Sequence, residues 1–408
     1  MPLAKDLPES LSPIATIGSP EFGWDRLERF LPLAGQAYKK NRNYDYGAGK
    51  HAHVSLLSPF LRHRILSEQE VFHRTLKTHS WVQAESFLQE VCWRTYWKGW
   101  LEQRPAVYED YRLWLRSPNL SEQLQHSHEV AVEGRTNLPV FDDWVRELRE
   151  TGYLHNHSRL WFASIWIYTF RIPWQLGADF FLRHLLDGDT ASNTLGWRWV
   201  AGLQTKGKQY LATKENIERF TQRSHELAAL SDYCIYIEDR LTPEQLQITP
   251  LESLPEQPKS TDIHLVWPDD LNSPALHEEE LPKALGMIDP NWEASGLAPI
   301  VKDFRESAVA SFENKWQGRV PVKRLTSMDD LSAWLHDYPD HRVSYYRPFV
   351  GDGADLKQSM THAFASRTVQ ELRRPWDTYF FKHAKAGFFR FKKAIPQYIQ
   401  EHGLDELC

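Results

Sequence analysis

LLDGDTASNTLGWRW, residues 185 to 199, sets Asp187, Asp189 and Asn193 among leucines and just ahead of Trp197 and Trp199. Aromatics of the buried type beside ionisable groups raise one question, because a carboxylate withdrawn from water has to be paired. Two answers are open from these residues alone. Gly188 can turn the chain at a helix end where both aspartates are solvated and the tryptophans are ordinary core. Alternatively, Arg159 of LHNHSRLW satisfies a buried carboxylate bidentately through its guanidinium fork.

Outward from this stretch, residues 22 to about 235 carry helical periodicity. FGWDRLERFLPLAGQAYKKNRN repeats apolar residues at Trp24, Leu27, Phe30, Leu31 and Ala34, and SWVQAESFLQEVCWRTYWKGWLEQRP does so at Trp81, Phe87, Leu88, Val91 and Tyr96. FDDWVRELRETGYLHNHSRLWFASIWIYTFRIPWQLGADFFLRHLLDGD predicts further helices, punctuated by Gly152 and Pro173. LTPEQLQITPLESLPEQPKSTD, residues 241 to 262, has no period and reads as a linker. Beyond it, strands are expected at IHLVW, LAPIV, RVPVKRL and RVSYYRP, alternating with helices at KDFRESAVASFENKW, SMDDLSAWLHDY and GADLKQSMTHAFASR. The expected architecture is α plus α/β: a helical domain over 1–240, the linker, and a smaller α/β domain with a mostly parallel sheet over 263–408. The tail AKAGFFRFKKAIPQYI predicts an amphipathic C-terminal helix that packs back on the body.

Composition narrows the function. At 408 residues the chain exceeds the ~250 to 300 at which a single core stops growing. Cys92, Cys234 and Cys408 show no CxxC spacing, which argues against a disulfide framework and for a reducing, cytoplasmic setting. MPLAKDLPES has neither a basic start nor an apolar run, and no stretch reaches the apolar length of a membrane span, so no membrane is expected. A net charge of −6 argues against a generally basic surface, although residues 151 to 230 hold nine Lys/Arg against six Asp/Glu, enough for a local basic face. His155 and His157 have no further ligand types nearby, and no metal is expected. Neither GxGxxG nor GxxxxGK[ST] occurs, which removes sequence support for nicotinamide or P-loop chemistry.

Read in order, four motifs resemble the photolyase/cryptochrome flavoprotein family. They are FGWDRLERFL with YKKNRN, VSLLSPFLRHRILSEQEV, FLQEVCWRTYWKGW, and TGYLHNHSRLWFAS joined to LLDGDTASNTLGWRW. The resemblance implies an all-helical FAD-binding domain over residues 22 to 220. It implies that Tyr38, Ser55, Leu56, Leu57 and Ser58 contact the pyrophosphate and ribitol, with Arg94 as a cationic contact. Arg159 would pair with Asp187 beside the isoalloxazine, Gly188 and Asp189 would serve its polar edge, and Asn193 would face N5. Trp197 and Trp174 fit the inner members of an electron-transfer tryptophan chain. Glu90, Trp93, Asn156, Trp199 and Arg42 fit a substrate pocket for a flipped pyrimidine dimer, so damaged DNA is the implied partner.

The chain also departs from the family. The position before EGRT, where an outer tryptophan is expected, is Ala131, leaving Trp144 or Trp166 as substitutes. Val54 stands for a threonine, and the loop NYDYGAGKHAH is long. The family's α/β antenna domain ordinarily comes first, whereas IHLVWPDDLNSPAL resembles its opening motif only after residue 262, so a relocated antenna-like domain is implied with its chromophore unspecified. Two functions follow: photolyase-like repair of pyrimidine dimers by excited reduced flavin, or a cryptochrome-type blue-light photoreceptor without repair.

Overall fold

A computed structural model of the chain describes residues 17–205, 207–222, 227, 230–257, 262–276, 281–292, 296–365 and 367–404. The N-terminal part is helical: α1 (Pro20–Phe30), α2 (Gln36–Asn41), α3 (Ser58–Arg62), α4 (Glu68–Leu76), α5 (Trp81–Glu102), α6 (Ala106–Arg116), α7 (Glu122–Glu133), α8 (Pro139–Thr151), α9 (Asn156–Ser164), α10 (Trp174–His184), α11 (Thr190–Val200) and α12 (Lys214–Thr221). Local chemistry sets several starts. Ser19 accepts from the Phe22 amide ahead of Pro20, and Ser67 and Glu70 close a capping box on α4. Asp189 caps α11 by accepting from the Ser192 amide at 2.7 Å, a first use for one of the aspartates of 185–199. A π-helical turn, Ile165–Thr169, extends α9. Among the described residues no helix is long and apolar enough to cross a membrane.

The C-terminal part is a five-stranded sheet: β1 (Ile263–Val266), β2 (Leu285–Ile288), β3 (Val322–Leu325), β4 (Val343–Tyr346) and β5 (Val369–Leu372), in the order β3-β2-β1-β4-β5. Every pairing is parallel. Helices α13 (Pro299–Trp316), α14 (Met328–Asp337) and α15 (Asp352–Ser359) lie between strands in sequence. β1, β2 and β4 are buried along their whole lengths, as strands covered on both faces must be.

LAPIV is not a strand. Pro299 occupies the first turn of α13, where its fixed φ suits a helix and its missing N–H costs nothing. LGMI and VQEL form β2 and β5 instead, and neither shows a sequence alternation. Gly286 looks like a breaker in β2, yet a Cβ there would stand 2.9 Å from Leu325 Cδ1 and Trp334 Cη2, so its smallness is what lets α14 close on the sheet.

After β5 the chain leaves the sheet as α16 (Pro375–Phe381), α17 (Phe388–Phe391) and α18 (Ala394–Glu401). The tail is therefore two helices with α17 turned separately, not one, and α16 and α17 pack against α5. The Trp376 indole N–H donates to Thr95 Oγ1 at 3.0 Å, and Phe380, Phe391 and Tyr398 join the same core as Phe72 and Phe87.

His264, buried in β1, hydrogen-bonds Ser344 and Ser273 through its two ring nitrogens, at 2.9 and 3.0 Å. Burial lowers its pKa to about 4. Below pH ~6.5 the unfolded chain takes up a proton that the folded chain refuses until about 4, so stability falls as pH falls across that window. Wild type is expected to lose up to ~1.4 kcal/mol per pH unit there relative to His264→Asn, measured as denaturation midpoints between pH 7 and 4.

Candidate functional site

The residues of 185–199 open onto a cavity of about 510 Å³, within the usual range for cofactor sites. α2, α3, α5, α9 and α11 wall it. Tyr38, Arg42, Ser55, Leu56, Leu57, Ser58, Glu90, Trp93, Arg94, Asn156, Arg159, Asp187, Gly188, Asp189, Asn193, Trp197 and Trp199 all line it, and Trp174 does not.

Asp187 and Asp189 are not solvated; their exposures are 5% and 4%. Arg159 is the partner of Asp187, but not as a bidentate fork: Nη1 meets Asp187 Oδ2 at 3.0 Å while Nε donates to the Leu154 carbonyl at 2.9 Å. Arg94 approaches both carboxylates, at 3.7 Å to Asp187 and 3.8 Å to Asp189. Burial opposes ionisation of Asp187, yet Arg159 and Arg94 outweigh it and hold its pKa below the ordinary value. Asp189 is held lower still, because Lys98, Arg94 and Arg62 together overcome its burial.

The turn before α3 is bent by Leu56, whose φ of 54° is left-handed for a branched side chain and costs on the order of 1–3 kcal/mol. Arg26 Nε steadies it by donating to the Ser55 carbonyl at 3.1 Å. Asn193 donates from Nδ2 to the Ala178 carbonyl at 2.7 Å, which pins its amide plane at the cavity wall. Glu90 keeps 42% of its side chain accessible because it faces the cavity mouth, 4.0 Å from Arg42; the surrounding protein raises its pKa, with Arg42 opposing.

Three polar atoms of lining residues, Arg94 Nη1, Asp187 Oδ1 and Ser192 Oγ, are buried without a hydrogen-bond partner. Such groups are costly unless a bound molecule completes them. An unpaired donor, acceptor and hydroxyl on a wall that also carries aromatic and aliphatic side chains suit a ligand with both a flat ring and polar groups.

The aromatic path is different from a simple tryptophan row. Trp197 has ring neighbours Phe181 at 5.1 Å, Trp166 at 6.1 Å and Phe162 at 6.4 Å. Trp174 stacks on Tyr111 at 5.6 Å, and Trp114 follows Tyr111 by one turn of α6. Trp144 pairs with Trp161 and is not part of the cavity wall. Gly177 makes the contact between α10 and Trp197 possible: a Cβ would stand 2.5 Å from Trp197 Cζ3 and 3.0 Å from Trp166 Cε2. Gly177→Ala is expected to cost ~1–3 kcal/mol by overpacking against Trp197 and Trp166, read as a lower melting temperature.

A family described as the FAD binding domain of DNA photolyase matches residues 87–236. Over these residues the chain belongs to the photolyase/cryptochrome family. Curated relatives within the family include the deoxyribodipyrimidine photo-lyase of Streptomyces griseus, 32% identical over 204 residues, or 49% of this chain and 43% of that protein. The Synechococcus sp. photo-lyase is 29% identical over 217 residues, covering 48% and 44% of the two chains. The chain thus spans less than half the length of these relatives. A bacterial class III photolyase from Agrobacterium tumefaciens is a structural neighbour at 24% identity and TM-score 0.44, covering 54% of this chain and 45% of that one.

Sequence reasoning missed Lys98 and Arg62. Lys98 Nζ lies 3.8 Å from Asp189 and 3.7 Å from the Phe349 ring centroid, and burial lowers its pKa to about 8. Arg62 Nε donates to the Gly188 carbonyl at 2.8 Å. A signal existed for Lys98: Glu90, Arg94 and Lys98 recur every four residues and share one face of α5. Also unforeseen, the Trp93 ring has one face covered by Phe388, at 3.7 Å and 10° between planes.

Proposed function

We propose that this protein binds FAD in the cavity and uses it, under light, to repair pyrimidine dimers in DNA. One observation carries the reading: the residues matched to flavin contact and those matched to lesion contact line a single continuous cavity. Bound FAD supplies light-driven one-electron chemistry. Arg159 and Asp187 orient the ring through its polar edge, Asn193 meets it from α11, and Arg94 adds positive charge that favours an anionic ligand. Trp197 on the cavity wall, in ring contact with Trp166 and Phe181, and the stacked pair Trp174 and Tyr111 are the aromatic groups that would carry electrons from outside.

At the mouth, Trp93 and Trp199 present ring surface, Asn156 and Arg42 present donors, and Glu90 holds its carboxyl proton to a higher pH than an ordinary glutamate. The Glu90 carboxyl meets the polar edge of a pyrimidine that enters there. Photo-lyase relatives give the partner class, damaged DNA.

The test illuminates purified, flavin-loaded, reduced protein with a dimer-containing oligonucleotide and follows dimer loss. Light-dependent loss is expected. Intact photoreduction with no dimer loss would overturn the repair reading in favour of a blue-light photoreceptor, and purification without any released FAD would remove both.

A further inference from the structure

We propose that residues 382–393 are a DNA-contacting element whose Phe389 acts as a wedge, filling the gap left in the base stack when a nucleotide turns out into the adjacent cavity. The inference rests on the DNA reading above and deepens it. Phe389 is 78% exposed, whereas Phe388 and Phe391 on either side are buried at 5% and 0%. An aromatic ring kept in water beside two that are packed gains nothing from folding.

Its surroundings carry one sign of charge. Between Asp377 and Glu401 no acidic residue occurs, while Lys382, Lys385, Arg390, Lys392 and Lys393 do, in a chain whose net charge is −6. All but the half-buried Lys392 are exposed, and none of them forms an ion pair among the described residues. Lys392 Nζ lies 5.7 Å from the Phe389 ring centroid. Unpaired cations around an exposed ring match a polyanion with stacking surfaces, and a nucleic acid is that chemistry.

The element is held firmly and in the right place. Carbonyls of Phe381, Lys385 and Ala386 accept from Gln103 Nε2 at 3.0 Å, Arg104 Nη2 at 2.8 Å and Tyr96 Oη at 2.9 Å. Phe388 stacks on Trp93, and Trp93 lines the cavity while Phe388 does not, so Phe388 backs the ring from the side away from the cavity. Phe389 is thus one residue from a ring that touches the cavity wall. Apolar wedges of this kind insert between base steps and stabilise an unstacked site.

The test measures binding of flavin-loaded full-length protein to duplex DNA with and without a pyrimidine dimer, by fluorescence anisotropy over a salt series. Phe389→Ala is expected to keep its flavin and to bind the dimer duplex about tenfold more weakly, with Phe389→Trp restoring affinity. Replacing Arg390, Lys392 and Lys393 together by Gln should weaken both duplexes and lower the salt slope by about 2 to 3. If wild type prefers the dimer duplex and Phe389→Ala prefers it equally, the wedge is overturned while the repair reading stands. If wild type shows no preference at any salt, the wedge and the DNA reading fall together. Binding to phosphatidylserine vesicles that is lost in Phe389→Ala, with DNA binding unchanged, overturns the proposal in favour of a membrane surface.

Discussion

Asp187→Ala is expected to yield protein that no longer retains FAD through desalting and that is less stable by ~3–5 kcal/mol. Asp187 is 4% exposed at its side chain and faces Arg159 at 3.0 Å and Arg94 at 3.7 Å. Removing it leaves two guanidinium groups crowded without their shared anion, and Arg94, 12% exposed, has little water to turn to. The cost of a buried pair broken from one side exceeds the net worth of the pair, because the remaining charge is stranded. Flavin absorbance after gel filtration and the urea midpoint of the same sample measure the two effects. Retention of full flavin with an unchanged midpoint would show that Asp187 does not hold the site together.

Asp377→Ala is expected to be as damaging, though it lies outside the cavity wall. Arg64 is 1% exposed and donates to Asp377 from Nη1 at 2.9 Å and Nη2 at 2.6 Å, with Nε on Glu68 at 3.1 Å. This fork joins α16, which follows the sheet in sequence, to the start of α4 in the helical part. Losing Asp377 leaves a fully buried guanidinium with only Glu68 at hydrogen-bond distance, a one-sided break of a buried pair that costs ~3–5 kcal/mol, visible as a lower denaturation midpoint with early loss of tertiary signal. The exposed pair Arg74–Glu28 gives the contrast. It has equally short contacts, 2.5 and 2.7 Å, but side chains 40% and 44% exposed, so Glu28→Ala should cost no more than ~1 kcal/mol. Equal losses in the two variants would mean that burial does not set the value of these pairs.

The carboxyl ends of β1 and β4 show how the two parts constrain each other. In a parallel sheet of this order the direction in which strands are added reverses between those two, and ligands commonly sit in the crevice there. In this protein side chains of both parts occupy that edge. His63 Nδ1 hydrogen-bonds the Pro268 carbonyl at 2.9 Å, Arg62 meets Asp269 at 3.6 Å, and Arg374 pairs with Asp270, which Arg64 approaches at 3.9 Å. A pigment carried by the α/β part would have to sit elsewhere than among these pairs.

Much of the site was legible because its chemistry is local. The turn at Gly188 and the helical spacing of α5 depend on residues within one or two turns. The resemblance added Arg159 for Asp187 across twenty-eight positions, and the two do meet. What it could not supply was geometry: Arg159 divides its donors between Leu154 and Asp187, and the second cationic shell of Arg62 and Lys98 comes from two other helices.

By itself, the sequence determined a helical part ahead of a parallel α/β part, since periodicity acts over short distances, and its resemblance to a family named most of the groups that line the cavity. Only the tertiary structure decided that LGMI and VQEL are strands and LAPIV begins a helix, because those choices turn on which neighbours cover each face. It alone returned α16 and α17 to α5, set Phe388 behind Trp93 and left Phe389 in water. And it alone settled the state of the two aspartates in LLDGDTASNTLGWRW, because whether a carboxylate is solvated or paired depends on cations brought from far along the chain into a place water cannot fill.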